Sequence, residues 1–566
     1  MKKRNFLLSL LLVFLLIGCS STNDKEEDNI IPQDPPIIDD DDQNDEIVED
    51  DGTITITQEG ITANAKGVLV TGTKIQITQE GTYTLVGSSE NVQIEVSVAD
   101  AEKVTLVFNN VNLTSKSGPV VYVDNADKVI INLPNETENL LQDSEDSEAK
   151  AVIFSRDDLT FNGLGSLELT ANVNNGIDCN DDLVINNGKY ILDTANNAIK
   201  ANNTITIANG NFSITANNDG IKAENNDDNT LGNIAINDGV FNIDASGDGI
   251  SAGNMLSIFA GTYTIKTGTR GSETSTKGVK ATGQILIEDG VFTINSKDDS
   301  VHSNASIGIK KGTFVVNSQD DGIHADESLI VDGGNIQIEN SYEGLEAFNI
   351  TINAGDIKII SRDDGLNAAG GNDGSGTFPW SRGGNAIIAI NGGNIFINAS
   401  GDGIDANGSI TMSGGNVLVL GPTSNNNSSL DYDGTFTISG GVMVAMGSSG
   451  MAMGSTQYGV LINFSSAKTS FALKDESGTI IIGASSSKQF NPVFISTPNL
   501  KKDQTYTLNV GGSVTVEEVI MDTLFEKGTY AGGSVATTFN LTTLSQTVGG
   551  SGGTGGGSGR PGGRPW

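Results

Sequence analysis

Histidine, cysteine, proline, aromatic residues and positive charge are all scarce in this chain. Its 566 residues hold 2 histidines and 2 cysteines. Only Cys179 follows Cys19, which lies at the end of the N-terminal apolar run, so intrachain disulfides are excluded as a source of stability. Two histidines do not furnish a multi-histidine zinc site. Lysine and arginine number 32 against 70 acidic residues, a formal net charge of −38. A surface this acidic repels nucleic acid and anionic membranes. It stays soluble and offers many carboxylates to cations. Long hydrophobic runs are also missing. Phe6 to Ile17 is too short for a comfortable transmembrane helix, and it follows the basic segment Met1 to Arg4 as in a secretory leader.

That run ends in Leu16-Ile17-Gly18-Cys19, which resembles the lipobox of bacterial lipoproteins. The resemblance implies a signal peptide of residues 1–18, cleavage before Cys19, and lipidation of Cys19, so that a lipid anchor is the one membrane contact. Residues 19–52 are polar and acidic, with Pro32, Pro35, Pro36 and Asp39 to Asp42; they read as a disordered tether. Within it, Asp24-Lys25-Glu26-Glu27-Asp28 resembles the acidic export signals of surface lipoproteins in the Bacteroidetes, although plain linker composition accounts for it equally well. The first reading puts the protein on the outer membrane, exposed at the cell surface.

A short unit then recurs, roughly Asp-Gly-Ile-x-Ala followed by Ile-x-Ile-x-x-Gly-x-Phe-x-Ile. Its corner glycine falls at Gly188, Gly210, Gly239, Gly261, Gly290, Gly312, Gly334, Gly355, Gly393, Gly415 and Gly441. The commonest spacing is 22 residues, and longer ones mark insertions near Asn225 to Asn229, Gly268 to Thr274 and 370–384. Each unit fits three short strands with glycine, asparagine and aspartate at the corners. A three-residue strand is not stable alone. Stacked about 4.8 Å from an identical strand above and below, it pairs along its whole length. The expected fold is therefore all-β, a single-stranded parallel β-helix over residues 53–447. Residues 448–546 lose the repeat but keep strand patterns and are expected to form a C-terminal β cap; residues 547–566 are a glycine-rich disordered tail. Tyr190, Phe212, Phe241, Tyr263, Phe292 and Phe314 share parity with aliphatic residues two positions on, so they should stack inside rather than form a sugar-binding strip.

In the Gly-Ile-x-Ala strand, isoleucine and alanine face in and x faces solvent. Read along the coil, x is Asp178, Lys200, Lys222, Ser251, Lys280, His302, His324, Glu346, Asn367, Asp405 and Asp431, basic at first and acidic later. For any single member a solvated face is the plainer reading. The corner before this strand carries Asp298-Asp299, Asp320-Asp321, Tyr342-Glu343 and Asp363-Asp364, with Asp219, Asp248 and Asp402 at matching places. One Asp-Gly is a good turn. Stacked carboxylates about 5 Å apart repel by roughly 1 kcal/mol in water and by several at an effective dielectric near 20, so hydrogen bonds or cations must offset them. Oxygen-only ligands in this arrangement suit Ca²⁺. The candidate metal ligands are Asp219, Asp248, Asp298, Asp299, Asp320, Asp321, Glu343, Asp363, Asp364 and Asp402. The candidate carbohydrate contacts are Lys200, Lys222, Lys280, His302, His324, Glu346 and Asp405, with Trp380 on the insertion as a stacking residue or as local packing.

The segments Asp364-Gly-Leu-Asn-Ala-Ala-Gly-Gly-Asn-Asp-Gly-Ser, Gly401-Asp-Gly-Ile-Asp-Ala-Asn-Gly-Ser, Gly421-Pro-Thr, Leu430-Asp-Tyr-Asp and Ala445-Met-Gly-Ser-Ser-Gly-Met resemble a bacterial carbohydrate-binding β-helix family, as does Ser155-Arg-Asp-Asp-Leu-Thr-Phe-Asn-Gly-Leu-Gly-Ser. The resemblance spans about residues 53 to 545. It implies a right-handed, pectate-lyase-like coil that carries calcium and binds cellulose or acidic polysaccharides of the polygalacturonate type. The leading expectation is non-catalytic, calcium-assisted polysaccharide binding by a monomer. A calcium-dependent lyase with a ladder lysine as base is the alternative, and a structural adhesin is the second.

Overall fold

A computed structural model describes residues 50–271, 275–369, 385–424, 427–448 and 456–549. Cys19, the leader, most of the tether, the C-terminal tail and the insertion with Trp380 lie outside the described residues. No α-helix occurs among the described residues, and 47 strands join one mostly parallel sheet network.

The repeat explains that network. In one coil the strands are Ile221–Ala223, Asn233–Ile236 and Val240–Ala245. Each pairs in parallel register with its equivalent in the next coil: Ile221 with Ile250, Ile234 with Leu256, Phe241 with Tyr263. The chain thus winds into a β-helix-like coil in which equivalent residues stand over one another. Before the regular repeats, Asp50–Thr57 pairs antiparallel with Gly60–Ala65 and parallel with Gly81–Ser89. After them, Val442–Met446 pairs antiparallel with Val493–Ser496, and a six-stranded sheet follows that includes Lys468–Lys474 and Gln504–Val510.

The core is a set of columns. Ile177, Ile199, Ile221, Ile250, Val279, Val301 and Ile323 are all fully buried, one above the other. The aromatic column is inside as expected: from Tyr190 to Phe314 successive rings stack nearly parallel, with centroids 4.6 to 5.0 Å apart. The corner glycine makes room for each ring. At Gly239, φ is +138° and an added Cβ would lie 2.9 Å from the Phe241 ring.

The glycine before each Ile-x-Ala strand has a different reason to be there. A Cβ on Gly249 would sit 2.5 Å from the Gly278 carbonyl oxygen and 2.5 Å from Ile265 Cγ2. Backbone of the next coil and core of its own leave no room to yield. Gly249→Ala is therefore expected to cost about 1–3 kcal/mol through overpacking, measurable by chemical denaturation against a neutral surface substitution.

Candidate functional site

The x column is built as a ladder. Asp178 pairs with Lys200, Lys200 with Lys222, Lys222 with Ser251, Ser251 with Lys280, Lys280 with His302, and His302 with His324. His324 then pairs with Glu346, Glu346 with Asn367, Asn367 with Asp405, and Asp405 with Asp431. The column also runs below Asp178, through Phe154, Tyr122, Glu95 and Gln76, which the sequence reading missed. Phe154 and Tyr122 stack with centroids 5.8 Å apart, and Arg156 lies over the Tyr122 ring. The looser early repeats hid them; their parity with inward Ile153 and Val121 is the signal that was present.

Corner side chains answer what balances the stacked carboxylates. At Asp219, Asp248, Asp299, Asp321, Asp364 and Asp402 one oxygen accepts the backbone N–H of the equivalent residue in the next coil. Asn197 Oδ1 accepts from Asp219 at 3.1 Å, Asp219 Oδ1 from Asp248 at 2.8 Å, and Asp248 Oδ1 from Lys277 at 2.8 Å. The pattern resumes with Asp299 accepting from Asp321 and Asp321 from Glu343, both at 2.9 Å, then Asp364 accepting from Asp402 at 2.5 Å and Asp402 from Ser428. These bonds hold the side chains so that the second oxygen is free to reach a ladder residue, either three positions on or in the next coil.

What it meets there changes along the coil. Asp219 Oδ2 is 3.3 Å from Lys222 Nζ and Asp248 Oδ2 is 3.6 Å from Lys280 Nζ. Asp299 Oδ2 accepts from His302 Nδ1 at 2.8 Å and from Lys277 Nζ at 2.8 Å, while Lys277 also reaches Asp298 at 2.9 Å. A lysine ammonium stands beside each of Asp219, Asp248 and Asp298, three of the expected metal ligands, and supplies a counter-charge there. Lys277, which occupies a corner position where aspartate recurs, was not anticipated. Burial alone would lower the Lys222 pKa, but Asp219 and Glu224 more than offset this and raise it. A cavity of about 180 Å³ opens over this stretch, bounded by Asp219, Lys222, Glu224, Asp248, Ser251 and Lys280.

From Glu343 onward the partner three residues on is no longer cationic: Glu346, Asn367 and Asp405 take the place of lysine and histidine. Burial first, then Asp321 and other neighbouring carboxylates, pushes Glu343 up to about 8. Asp364 rises to about 8 by burial, with Asp363, Asp402 and Asp405 adding to it against the bond from Asp402 N–H. Asp405 rises to about 7 through burial, Asp402 and Asp431. Asp364, Asp402 and Asp405 each turn a carboxylate oxygen to within 4.8 Å of the others. All-oxygen, partly buried and without a cation beside it among the described residues, this set suits Ca²⁺ with its loose geometry and six to eight oxygen ligands. Asp298, Asp299 and Asp320 also converge, but there Lys277 pairs with Asp298 and Asp299, while burial, Asp321 and Asp299 push Asp320 up to about 6. A further cluster, Asp158, Asp181 and Asp182, lies off the ladder beside Lys128, with Asp158 raised to about 6 mainly by burial. Its signal was two aspartate doublets one coil apart.

The ladder was expected to face solvent, and its middle does not. His302 is 1% exposed, His324 0% and Glu346 8%. Asp299, Asp321 and Asp326 close over them, so pointing away from the coil interior is not the same as reaching water. Lys200, Lys222 and Lys280 keep a partly exposed position, as does Asp405.

A model of carbohydrate-binding domain-containing proteins matches residues 71–322 and 311–486. A carbohydrate-binding domain-containing protein of Acetivibrio thermocellus is 36% identical over 133 residues, which are 22% of this chain and 46% of that protein. The chain therefore matches less than half the length of that relative. Among solved structures, the polysaccharide lyase-like protein from C. thermocellum, studied as a gadolinium derivative, is similar at 33% identity with a TM-score of 0.40, over 42% of this chain and 96% of that one. With the family model spanning most of the coil, this chain belongs to the carbohydrate-binding domain-containing proteins.

Proposed function

We propose that the ladder face binds an acidic polysaccharide without cleaving it, and that Ca²⁺ held by Asp364, Asp402 and Asp405 takes part. The observation that carries this is the reversal of charge at one repeated position. Lys222 and Lys280 sit where Asp405 sits further along, so among the described residues the cluster around Asp405 lacks the counter-charge that the basic half builds in. A calcium ion with spare coordination supplies that charge and can share it with uronate groups; partly exposed lysines meet further uronates along the same face. Family membership supports a glycan as the partner. Against the lyase alternative stands Lys222, held protonated by Asp219 and Glu224 and so a poor base at neutral pH. In this reading the coil is right-handed, the residues after Gly447 form a cap over its end, and the lipid on Cys19 holds the protein to the outer face of the outer membrane.

Calorimetry with polygalacturonate and with cellulose oligomers, in calcium and in chelator, tests it. Polygalacturonate binding should weaken in chelator, and Asp405→Asn should reduce it about tenfold, the worth of one charged contact. Ultraviolet absorbance of unsaturated product should stay flat. Binding indifferent to chelator, or sustained turnover lost in Lys222→Ala, would overturn the proposal.

A further inference from the structure

His324 stands in an arrangement that neither glycan binding nor calcium explains. Its ring is fully buried, and neither nitrogen has a hydrogen-bond partner among the described residues. Yet carboxylates surround it. Nδ1 is 3.4 Å from Glu346 Oε2, 3.5 Å from Asp321 Oδ2 and 3.7 Å from Asp299 Oδ2. Nε2 is 3.5 Å from Asp326 Oδ1, which is itself buried without a partner.

Asp299 is already engaged, since its Oδ2 accepts from Lys277 and His302 and its Oδ1 from the Asp321 N–H. Asp321 is fixed through Oδ1 by the Glu343 N–H at 2.9 Å, which leaves Oδ2 turned toward the imidazole. Asp321 Oδ2, His324 Nδ1 and Glu346 Oε2 thus form a set within 4.8 Å of one another, from two successive coils. Ligand atoms at about 2.0–2.2 Å from a tetrahedral Zn²⁺ lie about 3.4 Å apart along the polyhedron edges. The separations from Nδ1 to Glu346 and Asp321 match that edge and are too long for good hydrogen bonds.

We propose that Asp321, His324 and Glu346 bind a divalent transition metal of the zinc type, with Asp326 holding the imidazole by its other nitrogen. Two carboxylates balance the ion, so the ion and its three ligands together carry no net charge. An imidazole nitrogen is a poor ligand for Ca²⁺, which takes oxygens, and a favourable one for Zn²⁺ and its neighbours. Asp326 Oδ1, 3.5 Å from Nε2, closes to hydrogen-bond distance as the ring settles on the ion and sets the tautomer with the Nδ1 lone pair toward it, the usual outer partner of a metal-bound histidine. The metal joins the coil of Asp321 and His324 to the coil of Glu346, midway between the basic and acidic halves of the ladder. It differs from the calcium reading in ligand chemistry and does not depend on it.

The full secreted chain, stripped with chelator, is titrated with Zn²⁺ by competition against a chromophoric chelator in excess Ca²⁺, and with Co²⁺ by visible absorption. About one equivalent of Zn²⁺ should bind despite the calcium, and Co²⁺ should give the d–d bands of a nitrogen-containing, low-coordinate site. His324→Gln should abolish both. Asp326→Asn leaves the three ligands in place and should weaken Zn²⁺ on the order of 10- to 100-fold, the usual effect of losing an outer partner. That second variant decides the matter should His324→Gln fail to fold. Failure to take up Zn²⁺ or Co²⁺, displacement of Zn²⁺ by equimolar Ca²⁺, or unchanged zinc affinity in both variants would overturn the site and leave a buried imidazolium held by carboxylates.

Discussion

Phe241→Ala is expected to lower the stability of the coil by about 3–5 kcal/mol, the upper range for a buried phenylalanine. The ring is fully buried and lies flat between Phe212, 4.8 Å away, and Tyr263, 4.9 Å away. Truncation removes two stacking contacts, each worth about 0.5–1.5 kcal/mol beyond area burial. It also leaves a cavity that cannot collapse. Parallel ladders fix the coils above and below in register, from Phe212–Phe241 through Phe241–Tyr263, so neighbouring rings have no path toward each other. In a stacked repeat, stability is a sum of units and their interfaces, so the damage should be local. Hydrogen exchange should rise in Asn211–Ala216, Val240–Ala245 and Thr262–Thr267 and stay unchanged near Val417 and Ile438. A loss below about 1 kcal/mol by denaturant titration would mean that the column relaxes and does not act as a stack.

That column was legible because its information is local and periodic. A spacing of 22 residues, a corner glycine and an aromatic two places later set the register, and parity with Ile214 or Ile243 set the direction. The order of the ladder from Asp178 to Asp431 was legible for the same reason. The corners were not. Parity means nothing where the chain turns, so sequence could not say that Asp219, Asp321 and Asp364 spend one oxygen on the next coil's N–H. That bond is one answer to their mutual repulsion. Nor could it show that the second oxygen reaches three residues on, which separates Asp219 beside Lys222 from Asp402 beside Asp405. Lys277 escaped notice because it breaks the aspartate pattern in the one place where a cation replaces it. Asp326 lies where the pairing of Ile323–Val331 with Leu345–Ile352 slips, a shift that no repeat count reveals. The burial of His302 and His324 follows from these corner contacts, and so was hidden with them.

Stability in chelator should fall as pH rises from about 5 to about 8.5, and added Ca²⁺ should abolish the fall. Glu343 and Asp364 rise to about 8 and Asp405 to about 7 in the folded chain, while unfolded carboxyls titrate near 4. The folded state therefore holds protons that the unfolded state has released over this interval, and stability declines with pH wherever that is so. The contribution is complete below about pH 4 and is lost as pH passes through about 7 to 8. Each tenfold difference in proton affinity is worth about 1.4 kcal/mol. Because these groups repel one another and share the same relief, the cluster is worth several kcal/mol and not the sum of its members. A calcium ion at Asp364, Asp402 and Asp405 requires the ionised forms, so its binding tightens over the same interval and adds stability as RT ln(1 + [Ca²⁺]/Kd). General repulsion in a chain of charge −38 also grows with pH, and one variant separates the two effects. Asp364→Asn with Asp405→Asn keeps an acceptor for the Asp402 N–H and removes two charges. It should be more stable than the natural chain in chelator at pH 8 and less stable in millimolar calcium, measured by thermal unfolding. The same sign in both conditions would show that these carboxylates are ordinary surface charge.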